Sequence, residues 1–124
     1  MAKILVIDDD DIIRALIRKM LERAGHAVVD TANGRQALEM YRQEAVELII
    51  TDLFMPDKEG MEVIRELREE NAAAKIIAIS GGSSLDSMDY LEIARLIGAS
   101  KTLTKPFGWK QLLTTVDEVL DVRD

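Results

Sequence analysis

The stretch Lys3-Ile4-Leu5-Val6-Ile7-Asp8-Asp9-Asp10-Asp11 opens the chain with four apolar residues in a row followed by four carboxylates. An unbroken apolar run of this length reads as a strand buried on both faces, as in a parallel sheet covered by helices on either side. Similar runs follow at Leu48 to Ile50 and Ile76 to Ile79, with shorter or Thr-interleaved ones at Ala27 to Val29 and Thr102 to Thr104. Between them apolar residues recur every three or four positions. Ile13, Leu16, Ile17, Met20 and Leu21 form one helical stripe, and Trp109, Leu112, Leu113, Val116 and Leu120 another. Ala37, Leu38 and Tyr41 mark a shorter helix, Val63, Ile64 and Leu67 another, and Asp86 to Ile97 a less regular one. Gly25, Asn33-Gly34, Gly60 and Gly98 fall at the joints, where caps and turns form.

Five strand–helix units in sequence imply an α/β protein of doubly wound type. With the two weaker runs at the sheet edges, the strand order is 2-1-3-4-5, a flavodoxin-like (βα)5 sheet whose ligand crevice lies beyond the carboxyl ends of the strands. The 124 residues fit one domain spanning 1–124, with no second, output domain expected. A net charge of −7 opposes general binding to nucleic acid or anionic membranes. The absence of cysteine removes disulfides and thiolate metal sites and is compatible with a cytoplasmic address. No apolar run approaches a membrane span, and the N-terminus runs straight into the first strand, so no signal peptide is expected.

Chemistry collects at the strand ends. Strand 1 ends in Asp8 to Asp11, strand 3 in Thr51-Asp52, strand 4 in Ser80, and strand 5 in Thr104-Lys105-Pro106. With strands 1 and 3 adjacent, Asp8, Asp9 and Asp52 converge, and three carboxylates held together need a cation among them. An all-oxygen site with room for water suits Mg²⁺. Lys105 adds a positive charge and Ser80 a hydroxyl donor, the set that phosphoryl transfer to the Asp52 carboxylate requires. Each residue also has a plainer role. The aspartate run fits a helix cap, a part that falls to Asp10 or Asp11. Asp52 and Ser80 could open turns, and Lys105 could be solvated. The joint occurrence at four strand ends of one sheet favours the site.

These residues resemble the response-regulator receiver family, in a stand-alone form similar to chemotaxis regulators of bacterial two-component systems. The matching stretches are Lys3 to Asp10, Thr51-Asp52-Leu53-Phe54-Met55-Pro56-Asp57 with Gly60, Ile79-Ser80-Gly81, Gly98-Ala99, and Lys105-Pro106-Phe107, with Thr31-Ala32-Asn33-Gly34 and Ala37-Leu38 in addition. The resemblance implies that Asp52 accepts a phosphoryl group and that Asp8 and Asp9 bind Mg²⁺, joined by the backbone carbonyl of Phe54. Ser80 and Lys105 would contact phosphoryl oxygens, and the Lys105–Pro106 peptide would be cis. The implied partners are a sensor histidine kinase or histidine phosphotransfer protein and a downstream protein. Such a protein is a switch that catalyses only its own phosphorylation and dephosphorylation.

Thr102 stands where many members of the family carry an aromatic residue, and the segment from Ser80 to Gly98 looks a few residues long for the family. With Gly81 and Gly82 opening it, this segment is a candidate switch element, against the reading of an ordinary tolerated insertion. The runner-up function is a haloacid-dehalogenase-like, Mg²⁺-dependent phosphohydrolase using Asp8-x-Asp10. That assignment leaves Asp52 and Lys105 without a role. A flavodoxin-like redox protein would need a phosphate loop after strand 1 in place of four aspartates. His26 reads as a surface residue and Trp109 as packing. Arg14, Arg18, Lys19 and Arg23 read as a solvated helix face, with a docking surface for a phosphotransfer partner as the second reading.

Overall fold

The computed structural model describes residues 2–53, 60–81, 92, 94–96 and 98–120. Five strands, β1 (Lys3–Ile7), β2 (Ala27–Thr31), β3 (Leu48–Asp52), β4 (Ile76–Gly81) and β5 (Lys101–Lys105), form one sheet in the order β2-β1-β3-β4-β5. Every pairing is parallel. The helices are α1 (Asp11–Arg23), α2 (Gly34–Gln43), α3 (Gly60–Glu70), a helical stretch α4 at residues 92 and 94–96, and α5 (Trp109–Leu120). This is the doubly wound sheet that the alternation of runs and stripes predicts. Among the described residues no helix is long and apolar enough to cross a membrane.

Side-chain alternation along the strands feeds two separate cores. Leu5 and Ile7 of β1, Ile49 of β3, and Ile76 and Ala78 of β4 pack with Ala37, Leu38, Val63, Ile64, Leu67 and Ala94. Their neighbours Ile4, Val6, Leu48, Ile50, Ile77 and Ile79 face the other way, onto Ile17, Leu21, Leu112, Val116 and Val119. The first layer joins the sheet to α2, α3 and α4, the second to α1 and α5. All five residues of β3 are buried, as expected for the middle of the sheet. Fully burying one such isoleucine contributes about 1.5–3 kcal/mol.

The edge strands run longer than their apolar patterns. β2 extends through Asp30 and Thr31, and β5 takes in Lys101 and Lys105. An edge strand needs fewer buried side chains, so polar residues carry the ladder there. Asp10 is the N-cap of α1; its carboxylate accepts from the backbone N–H groups of Ile12 and Ile13. Asn33 caps α2 in the same way, which makes Gly34 the first helical residue.

Gly60 is fixed by space. A Cβ built on it would lie 2.0 Å from the Asp52 carbonyl oxygen and 2.6 Å from the Leu53 Cα. Its N–H donates to the Leu53 carbonyl at 2.9 Å, so the first turn of α3 rests directly on the end of β3.

Candidate functional site

The parallel register decides what meets at the sheet's carboxyl edge. Ile7 of β1 is level with Thr31 of β2 and Thr51 of β3, so Asp8 and Asp52 emerge side by side. Lys105 pairs in register with Gly81, at the end of β4. Oxygen atoms of Asp8, Asp9 and Asp52 lie within 4.8 Å of one another. Asp8 and Asp52 are buried, whereas Asp9 is exposed at the rim.

Lys105 reaches into this group from β5. Its Nζ is 3.0 Å from Oδ2 of Asp52, a hydrogen bond, and 3.1 Å from Oδ2 of Asp8. The Asp8 contact is an ion pair without hydrogen-bond geometry, and that oxygen has no other polar partner among the described residues. The other Asp8 oxygen accepts from the Asp10 N–H at 2.9 Å. Burial lowers the Lys105 ammonium, but the hydrogen bond and charge of Asp52, then the ion pair with Asp8, outweigh it and hold the group above its ordinary range. Burial is also the largest influence on Asp8, raising its carboxyl. The Asp10 N–H opposes this, the Asp52 charge adds to it, and the net shift is upward.

The donor set fits a hard divalent cation. Its ligands are all oxygen, one buried carboxylate oxygen lacks a hydrogen bond, and Asp9 leaves the mouth open to water. Mg²⁺ prefers such a combination of few carboxylates and retained waters.

Ser80 is fully buried in β4, level with Thr104. Thr102 is half-buried in β5, level with Ala78. The Lys105–Pro106 peptide is cis. Gly81 closes β4, whereas Phe54, Gly82 and the rest of the candidate switch segment at 82–91 lie outside the described residues. His26 is half-buried, and its Nδ1 accepts from the Ala2 N–H at 3.2 Å. Trp109 departs from the packing expected of it. It is 55% exposed and lines a groove with Leu16, Met20 and Leu113.

The basic face of α1 divides in two. Lys19 and Arg23 are exposed along the same groove. Arg14 and Arg18 instead fold back onto Asp30 at the end of β2, at 3.1 and 2.7 Å. Arg14 also donates to the Asp8 carbonyl at 2.7 Å, a link to the site that the helical stripe alone does not reveal. The available sequence signal was an acidic residue ending the neighbouring strand.

A doubly wound sheet with an acidic, lysine-capped mouth at its switch point defines a phosphoryl- or cation-handling α/β protein. The family model of the response regulator receiver domain matches residues 4–117, and the chain belongs to that family. It is 32% identical over 120 residues to the transcriptional regulatory protein CpxR of Escherichia coli (strain K12), covering 97% of this chain and 50% of the relative. It is equally similar, over 121 residues, to the chemotaxis protein CheY of Halobacterium salinarum, covering 97% of this chain and 98% of the relative. The chain thus spans about half the length of CpxR and of other transcriptional regulators that it matches. Among solved structures, the response regulator TrrA of Thermotoga maritima, in complex with Mg²⁺-BeF, superposes with a TM-score of 0.86 at 30% identity, covering 97% and 100% of the two chains. A receiver domain from Clostridium thermocellum gives 0.90 at 28%, covering 98% and 95%. The dehalogenase-like alternative finds no support in these matches, and the cap role of the Asp10 carboxylate opposes it.

Proposed function

We propose that the chain is a phosphorylation-gated signalling switch of the cytoplasm, with Asp52 as the phosphoryl acceptor. The observation that carries this reading is the Lys105 ammonium set between the carboxylates of Asp8 and Asp52. An Asp52 oxygen attacks the phosphorus of a phosphohistidine on a sensor kinase or phosphotransfer protein. The P–O bond forms as the P–N bond breaks, and the leaving histidine nitrogen keeps the bonding pair. Lys105 pairs with the transferred group's oxygens, and the Ser80 hydroxyl donates to another. Mg²⁺ would be held by Asp8, Asp9 and Asp52 with the Phe54 carbonyl, and would supply charge neutralisation of the phosphoryl oxygens. Attack of water on the phosphorus later returns the carboxylate and releases inorganic phosphate. Output follows from binding another protein or from passing the phosphoryl group onward.

The exposed apolar side chains of Ile12 and Leu16 on α1 and of Trp109 on α5 support docking of a protein donor. Labelling with a small acyl phosphate tests the reading. Stoichiometric labelling that needs Mg²⁺ and disappears in Asp52→Asn is expected; steady turnover of a phosphomonoester, or labelling unchanged by EDTA, sinks it.

A further inference from the structure

We propose that Arg14 is a positioning residue for the acidic site, acting through the Asp8–Asp9 peptide, with Asp30 and Arg18 holding it in place. The three carboxylates are not anchored alike. Asp8 is tied by the Asp10 N–H and by Lys105, and Asp52 by Lys105. Among the described residues the Asp9 carboxylate makes no hydrogen bond or ion pair, so its place depends on the backbone that carries it.

That backbone has just left the sheet. The Asp8 N–H still donates to Thr31 of β2, at 3.2 Å, but the Asp8 carbonyl receives Arg14 Nη1 at 2.7 Å. A side chain from α1 thereby fixes the plane of the 8–9 peptide, and with it the direction in which Asp9 leaves the chain. The guanidinium is itself held at its other two nitrogens. Nε donates to Asp30 Oδ1 at 3.1 Å and Nη2 to Asp11 Oδ1 at 2.6 Å. Arg18 holds the second Asp30 oxygen at 2.7 Å. Arg14 is only 18% exposed and Asp30 21%, so this is a half-buried relay from the edge strand to the site. A planar fork is needed to reach three acceptors at once, which a lysine cannot do. Asp11 and Asp30 also offset the Arg14 charge, so that it opposes a bound cation less.

The inference rests on the reading of the cluster as a Mg²⁺ site, and the test separates the two. Mg²⁺ is titrated into wild-type protein and into Arg14→Ala, Arg14→Lys and Asp30→Asn variants without phosphodonor. Amide NMR shifts at Asp9 and Asp52 report the dissociation constant, and thermal unfolding in EDTA reports the fold. Arg14→Ala should weaken Mg²⁺ binding about tenfold, the usual effect of removing a group that orients a metal ligand. Arg14→Lys should recover part of the loss, and Asp30→Asn should show a smaller one. A cation that merely repelled Mg²⁺ would give the opposite sign, tighter binding in Arg14→Ala, and that result overturns the inference. A lower melting temperature with unchanged affinity overturns it too. Should Arg14→Ala fail to fold, the Lys and Asp30→Asn variants carry the same comparison. Wild-type protein that binds no Mg²⁺ overturns the metal reading and this inference with it, whereas variants that match a binding wild type overturn this inference alone.

Discussion

Lys105 and Asp52 are hydrogen-bonded at 3.0 Å although their strands are not neighbours, since β4 lies between β3 and β5. The lysine reaches across the end of β4, whose last residue, Gly81, is its register partner. The contact thus joins the sheet edge to the sheet centre at the height of the acidic group.

Replacing Lys105 by methionine keeps most of the side-chain length and removes the charge. A part-exposed, charge-assisted hydrogen bond is worth about 1–2 kcal/mol, so the variant should remain folded in EDTA with a modest loss of stability. Phosphoryl labelling should fall far more than stability does. Urea unfolding and acyl phosphate labelling, measured together, check this, and a loss of stability large enough to unfold the protein would make Lys105 chiefly structural.

Asp10→Ala should separate the cap from the chemistry. Losing the carboxylate that accepts from Ile12 and Ile13 costs about 1 kcal/mol of stability. Labelling at Asp52 should persist. Its abolition in a folded Asp10→Ala protein would revive a role for the Asp-x-Asp spacing.

The acidic group also predicts a pH dependence in the absence of metal. Burial, aided by the Asp52 charge, raises the Asp8 carboxyl above its unfolded value. The folded chain therefore keeps a proton that the unfolded chain has lost. The resulting stabilisation is fully present below the ordinary aspartate range and disappears as pH rises through the raised value. In EDTA, wild-type stability should thus fall relative to Asp8→Asn as pH climbs across that window, then run parallel to it. Urea midpoints at a series of pH values read this out; a gap between the two proteins that does not change with pH contradicts it.

Gly60→Ala should be disproportionately harmful for a one-methyl change. The added carbon meets backbone atoms of Asp52 and Leu53, which cannot rotate away. Overpacking of this kind costs roughly 1–3 kcal/mol or more, and here the displaced atoms carry the acceptor. Both the melting temperature and the labelling rate should fall, whereas Gly108→Ala, with open space around it, should leave the labelling rate near wild type.

Much of this was legible from residue order. Leu48 to Ile50 and Ile76 to Ile79 announce central strands because both their faces are buried, and Asp8, Asp52 and Lys105 meet because β1, β3 and β5 of one parallel sheet end on the same side. The edge strands were read too short, since Asp30, Thr31 and Lys101 satisfy the ladder without forming an apolar pattern. Arg14 reads as solvated because it clusters with Arg18, Lys19 and Arg23 on α1, and such a basic face is by default in water. From there a long side chain can face water or turn back, and only the position of Asp30 across the sheet edge decides. Periodicity locates a face of a helix, not the partner beyond its rim.

The alternation that sends Leu5 and Ile7 to one core and Ile4 and Val6 to the other makes the sheet a partition wall. An engineer could therefore rebuild the outward surfaces of α1 and α5 to accept a new signalling partner while the layer under α2 and α3 stays as it is. Specificity and solubility could then be selected in separate libraries, one for each side of the wall, and recombined afterwards in a single chain.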